Sequence, residues 1–157
     1  MMRRRDGSSP ETSSHAIGGS VRGMRTTEFE VSTAGERVVD ITERVRAFAD
    51  EAGEDGLLHV FLPHATAGLA LMETGSGSER DLDEAIERLL PREDRYAHGH
   101  GSVGHGGDHL LPVFVGPSLV LPVERGGLVL GTWQSVVVVD PNRENDVRRV
   151  RLGFLAG

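Results

Sequence analysis

The last third of the chain reads "LLPVFVG", "SLVLPV", "LVLGTW", "SVVVVD" and "VRRVRLGFL", five apolar runs broken by glycine, proline and asparagine turns. Short runs rich in Val, Leu and Phe between turn formers are strand signals, and so many in succession demand sheets. "SVVVVD" constrains most, because an apolar strand without alternation must be covered on both faces. One small domain covers its outer strands poorly, so this run is weak support for self-association. Upstream, "TTEFEVS" alternates as a half-buried strand should, and "LLHVFL" and "LALM" are two further short strands. Two amphipathic segments interrupt them. In "DITERVRAFADEAG" the apolar stripe is Ile41, Val45, Phe48, Ala49 and Ala52; Asp40 and Glu43 have capping-box spacing, and Gly53 suits the exit. In "ERDLDEAIERLL" the stripe is Leu82, Ala85, Ile86, Leu89 and Leu90, with Ser78 as cap and Pro91 as stop. About seven strands and two helices predict an α+β domain over residues 25–157.

Residues 1–24 are rich in serine, glycine and arginine and poor in apolar groups, which predicts a disordered tail without a secretory signal. No apolar run is long enough to span a membrane, and a cytoplasmic location is the expectation. The net charge of −7 argues against a nucleic-acid partner. The chain has no cysteine and no lysine: all 17 basic side chains are arginine. Thiolate metal sites, Schiff-base chemistry and a lysine-bearing phosphate loop are therefore excluded. Arginine remains for binding phosphate or carboxylate.

Four of the seven histidines fall in "YAHGHGSVGHGGDH", residues 96–109. Imidazoles in such number serve as metal ligands or acid–base groups. The glycines argue against a helix, so His105 and His109 do not read as a helical zinc motif. His100 and His105, each between glycines, read as loop filling. "PHATAG" places His64 and Thr66 in a turn between two strands, and Glu73 follows the second strand. "LGTWQ" offers Trp133 as a flat face and Gln134 as a hydrogen-bonding amide. Arg149 and Arg151 should share one face of the last strand, opposite Val150, Leu152 and Phe154.

Taken in order, "HATAG", Glu73, Arg80–Asp81, "RYAH", "DH", "VGPSLVLPV" and "GTWQ" resemble the YjbQ family of secondary thiamine-phosphate synthase-like proteins, over about residues 26–155. The resemblance implies a two-sheet β-sandwich with flanking helices, assembled as a homotrimer. It also implies catalytic positions at His64, Glu73, His98 and His109, and a substrate site that includes Trp133 and Gln134; Thr66 and Arg149 join that site from their own chemistry. The substrate so implied is a small phosphate-bearing molecule. A pyrimidine methyl diphosphate would be joined to a thiazole phosphate with release of diphosphate. Met72 replaces the family's usual asparagine before Glu73, Leu110–Leu111 its basic residue after the second loop histidine, and Asp140 its glutamate. Two other readings of these residues stay open. One is a metal-dependent hydrolase or isomerase with His64, His98 and His109 around a divalent ion, magnesium or zinc. The other is a non-enzymatic trimer that binds a small molecule or ion.

Overall fold

The computed structural model describes residues 23–157 except Asp94, so the expected tail lies almost wholly outside the described residues. Among the described residues, eight strands form two antiparallel sheets. The larger has the order β1 (Met24–Ser32), β8 (Val147–Ala156), β3 (Gly56–Phe61), β5 (Ser118–Glu124), β6 (Gly127–Leu128). The smaller is β2 (Val38–Asp40), β7 (Ser135–Val139), β4 (Gly68–Met72). Four helices accompany them: α1 (Thr42–Ala52), α2 (Ser78–Leu89) and two single turns, α3 (His105–Asp108) and α4 (Leu111–Phe114).

Alternation sorts the side chains. Leu58, Val60, Leu121, Val123, Val150, Leu152 and Phe154 of the large sheet share a core with Val136, Val138 and Leu69 of the small one and with Val45 and Ala49 of α1. Val137 and Val139 point the other way and pack with Ile86 of α2, Leu90 just past its end and Leu111 of α4. The valine run is therefore covered on both faces within one chain, by a sheet on one side and helices on the other. Its apolar pattern is satisfied without a partner and no longer supports self-association.

Helix α1 ends at Gly53, whose φ of 68° is left-handed and suits glycine. At its start the Asp40 carboxylate accepts the Thr42 N–H at 2.8 Å. Two expected strands are not strands. Residues 110–116 form α4 and its flanks, because Pro112 sits in the first helical turn, where its missing N–H is harmless, and Leu111 is buried against Val137 and Val139. In "LVLGTW" only Leu128 is extended in a ladder, and a Gly131–Gln134 turn takes up the rest. The stripe of α2 is also narrower than expected. Ile86 and Leu90 are buried, but Leu89 is 55% exposed.

At the end of β7, Asp140 is buried and accepts four hydrogen bonds: from Arg148 Nε (2.6 Å) and a second guanidinium nitrogen (2.9 Å), Thr33 Oγ1 (2.7 Å) and the Asn142 N–H (3.1 Å). Arg148 is equally buried. Removing one partner strands the other charge in a dry interior. Asp140→Ala should destabilise the fold by about 3–5 kcal/mol, read as a lower denaturation midpoint. A loss under about 1 kcal/mol would show that water reaches the pair.

Candidate functional site

The histidine loop is a packed structure. A side chain at Gly101 would put its Cβ 2.6 Å from the His105 ring, and at Gly106 only 2.5 Å from Tyr96. Gly107 also lies against the Tyr96 ring, whose hydroxyl donates to the Pro91 carbonyl at 3.0 Å. The glycines are there because two rings occupy the space side chains would need. They also let residues 105–108 close a helical turn, which sets His105 and His109 one turn apart on a single face.

Four imidazoles meet as a result. The ring centroids of His98, His100, His105 and His109 are 4.1–6.2 Å apart. His105 Nε2 and His109 Nε2 are 2.9 Å apart, a contact that one shared proton can make a hydrogen bond. Reading His100 and His105 as loop filling is thus corrected: both rings belong to the cluster. The overlooked signal was the four-residue spacing of His105 and His109, set aside because glycine disfavours a helix.

A polar frame holds the loop. Arg92 donates to Asp108 at 2.8 Å and to the carbonyls of Val103 and Pro141. Asp108 also accepts the Asn142 amide at 3.1 Å, and Glu144 accepts the Ser102 N–H. Glu144 was not anticipated, since nothing in "NREN" distinguishes it from a solvated turn residue.

His64 lies elsewhere in this frame. Its Nε2 accepts the Arg149 N–H at 2.8 Å, so the neutral ring carries its proton on Nδ1. That nitrogen faces an Arg148 guanidinium nitrogen at 3.5 Å, two donors opposed, so the contact is not a hydrogen bond. Burial first, and the Arg148 charge second, hold the His64 pKa below its ordinary value. Thr66 is buried in the same turn, and the Arg149 side chain is exposed on the outer face of β8.

The remaining expected residues sit at the other end of the small sheet. β4 and β7 pair Gly68 with Val139 and Met72 with Ser135. His64 and the histidine loop therefore adjoin the Val139 end, while Glu73 and Gln134 flank the Met72–Ser135 end. Five residues of strand separate the two by roughly 14 Å. Trp133 is 73% exposed in the turn before β7, and the Gln134 side chain accepts the Gly131 N–H at 2.8 Å, closing that turn. Glu73 is exposed. Within one chain these residues do not converge with the imidazoles on a single pocket.

A family model described as "UPF0047 protein YjbQ-like" matches residues 27–157. The chain belongs to this family. It is 58% identical over 134 residues to a UPF0047 protein of Mycobacterium tuberculosis, covering 85% of this chain and 100% of the relative. An Archaeoglobus fulgidus UPF0047 protein is 35% identical over 72% of this chain and 88% of its own length. Among solved structures, a hypothetical protein of Aeropyrum pernix superposes with a TM-score of 0.77 at 33% identity, covering 85% of this chain and 99% of that one. A YbjQ-like protein of unknown function from Sulfolobus solfataricus gives 0.78 at 26%, covering 85% and 98%. The α+β fold with two sheets is thereby that of the family.

The state of His64 generates a pH prediction. A histidine whose folded pKa is depressed binds fewer protons folded than unfolded, so its contribution to stability is present above about pH 6.5 and lost as pH falls through the folded value. The melting temperature should hold between pH 8 and 7 and fall on further acidification. His64→Gln keeps an acceptor for the Arg149 N–H and cannot titrate, so its acid slope should be shallower. Identical slopes for both proteins would remove His64 as a source of the effect.

Proposed function

We propose that the protein is an enzyme acting on a small phosphate-bearing molecule, with the histidine loop as its working centre and a homotrimer as its working form. The observation that carries this reading is the contact of four imidazoles at one end of the fold. Such a cluster is a burden on stability. Burial and the three neighbouring rings push the His109 pKa down, so protonation of His109 is resisted. Structural packing gains nothing from titratable rings that apolar side chains would not give more cheaply. A perturbed imidazole set among three others in contact with it marks a functional site.

The family resemblance supports a thiamine-phosphate synthase-like transfer. Departure of diphosphate from the pyrimidine needs its charge stabilised and an aromatic surface for the ring left behind. The exposed Trp133 is such a surface, but it lies at the far end of the small sheet from the imidazoles. A neighbouring copy would have to bring it to them. The outer face of the large sheet supports an assembly of this kind. Register sets Met24, Leu155 and Leu57 side by side, with Val120 one row on, and these four are 41–61% exposed. An apolar sheet face left uncovered among the described residues is a candidate association surface. The second reading, metal-assisted hydrolysis or isomerisation, is favoured by the placement of all four imidazoles on one loop, since a metal-bound water needs no residue from the far end.

Untagged protein incubated with the pyrimidine methyl diphosphate and the thiazole phosphate should form thiamine phosphate, with His98→Ala lowering the rate at least about 100-fold. Hydrolysis of phosphate esters without condensation would favour the second reading, and tight binding without turnover a non-enzymatic one. Native mass spectrometry should show three chains, and Val120→Glu should dissociate them without loss of secondary structure. A stable monomer at micromolar concentration would remove the trimer.

A further inference from the structure

The imidazole cluster has one member whose surroundings proton transfer alone does not explain. His105 is 8% exposed, and its buried Nδ1 has no hydrogen-bond partner, although Glu144 Oε2 lies 3.1 Å away, out of line. The carboxylate is not free to leave. It accepts the Ser102 N–H, and the Glu144 backbone N–H donates to Asn142 Oδ1 at 3.0 Å, with Asn142 tied in turn to Asp108. The negative charge beside Nδ1 favours the tautomer with its proton there, and a small swing of the ring would make it the carboxylate–imidazole pair that orients a metal-ligating histidine. Nε2, 2.9 Å from that of His109, is then the nitrogen left to bind. Beside it, His98, His100 and His105 each offer a ring nitrogen, and the three nitrogens lie within 4.8 Å of one another.

We infer that His98, His100 and His105 ligate a divalent transition-metal ion of the zinc class, with Glu144 orienting His105 and a fourth position left for water or a substrate oxygen. Three protein nitrogens with one open place is the usual catalytic zinc arrangement. Ligand nitrogens around such an ion stand about 3.3 Å apart, given bonds of about 2.0–2.1 Å, so the rings need to close by up to about 1.5 Å. His100 lies between Gly99, where a Cβ would meet nothing nearer than 3.9 Å, and Gly101, so its backbone has room to adjust. Magnesium does not fit, because it demands oxygen ligands and this set is nitrogen. His64 stands apart from this set: its Nε2 accepts a backbone N–H, that of Arg149, and its Nδ1 faces a guanidinium, whereas the Nε2 of His105 meets only another imidazole, which can turn aside. The ligand set therefore differs from the one expected from the sequence, with His100 and His105 in place of His64 and with His109 at the rim, its Nε2 2.9 Å from that of His105.

For its part in catalysis the ion rests on the histidine loop being the working centre, but binding is measured without turnover. Full-length, untagged protein purified without nickel resin and stripped by chelator would be titrated with zinc against a chromophoric competitor, and with cobalt to read its visible absorption. The expected result is one zinc per chain, saturable, with a rise in melting temperature. His98→Ala and His100→Ala alter exposed residues that the fold tolerates, and each should weaken binding about 100-fold or more, while Glu144→Gln should weaken it about 10–100-fold. His64→Gln should leave affinity unchanged. Absence of saturable zinc binding overturns the inference, as does a His98→Ala/His100→Ala protein that binds like the wild type or a His64→Gln protein that loses as much as either. Zinc bound without turnover supports the site and removes the enzymatic reading; turnover with no zinc bound does the reverse.

Discussion

Everything at the imidazole-bearing end of this molecule hangs from the Asp140 carboxylate. It terminates the central strand of the small sheet, inside the protein, and both of its oxygens are fully used by Arg148, Thr33 and the Asn142 N–H. A buried ion pair of this kind adds little net stability over apolar packing, but it tolerates no change of geometry, because either charge left alone is expensive. That rigidity is passed on in two directions. Through Arg148 it fixes the start of β8 and the surroundings of His64. Through the turn after Pro141 it fixes Asn142 and Glu144, which hold the histidine loop by Asp108, Ser102 and His105.

The loop gains its order from what its glycines leave out. Tyr96 lies where side chains at residues 106 and 107 would be, and His105 where one at 101 would be. A loop of small residues usually loses conformational freedom at high cost. Here the cost is offset by burying two rings and by the Arg92 guanidinium, which binds one side chain and two carbonyls at once. The imidazoles stand on a frame tied to the core at both ends, as a site must be if its groups are to stay within bonding range.

Much of the fold was legible because burial writes itself into periodicity. The stripe of α1 and its closing glycine, the half-buried alternation of β1 and β8, and the valine run of β7 all appear where their patterns put them. The failures share a cause. "LLPVFVG" and "LVLGTW" are short apolar runs, and in such runs burial alone does not distinguish strand from helical turn or loop. At the site, the clustering of histidine pointed to the right loop, but single-residue propensity misjudged two of its members. Glycine propensity opposes a helix at His105, and nothing local reveals that the Tyr96 ring requires glycine there. Glu144 was invisible, since its meaning lies wholly in a contact 39 positions back along the chain.

The placement of Glu73, Trp133 and Gln134 was hidden for a different reason: order along a chain does not reveal which end of a sheet a residue reaches. The motif around His64 and the glutamate Glu73 bracket a single strand, β4, so an extended backbone must hold them apart by its own length. β7 runs antiparallel beside it, which carries the Trp133 turn to the Glu73 end and Asp140 to the His64 end. No side-chain rearrangement closes that distance while the sheet exists. Two consequences follow from strand geometry alone. Chemistry that needs Glu73 or Trp133 in direct contact with the imidazoles requires the residues of two chains, and its rate must depend on assembly. Chemistry centred on the histidine loop requires only one chain, because its four rings, the Glu144 carboxylate and the buried ion pair behind them all lie at the same end of one chain.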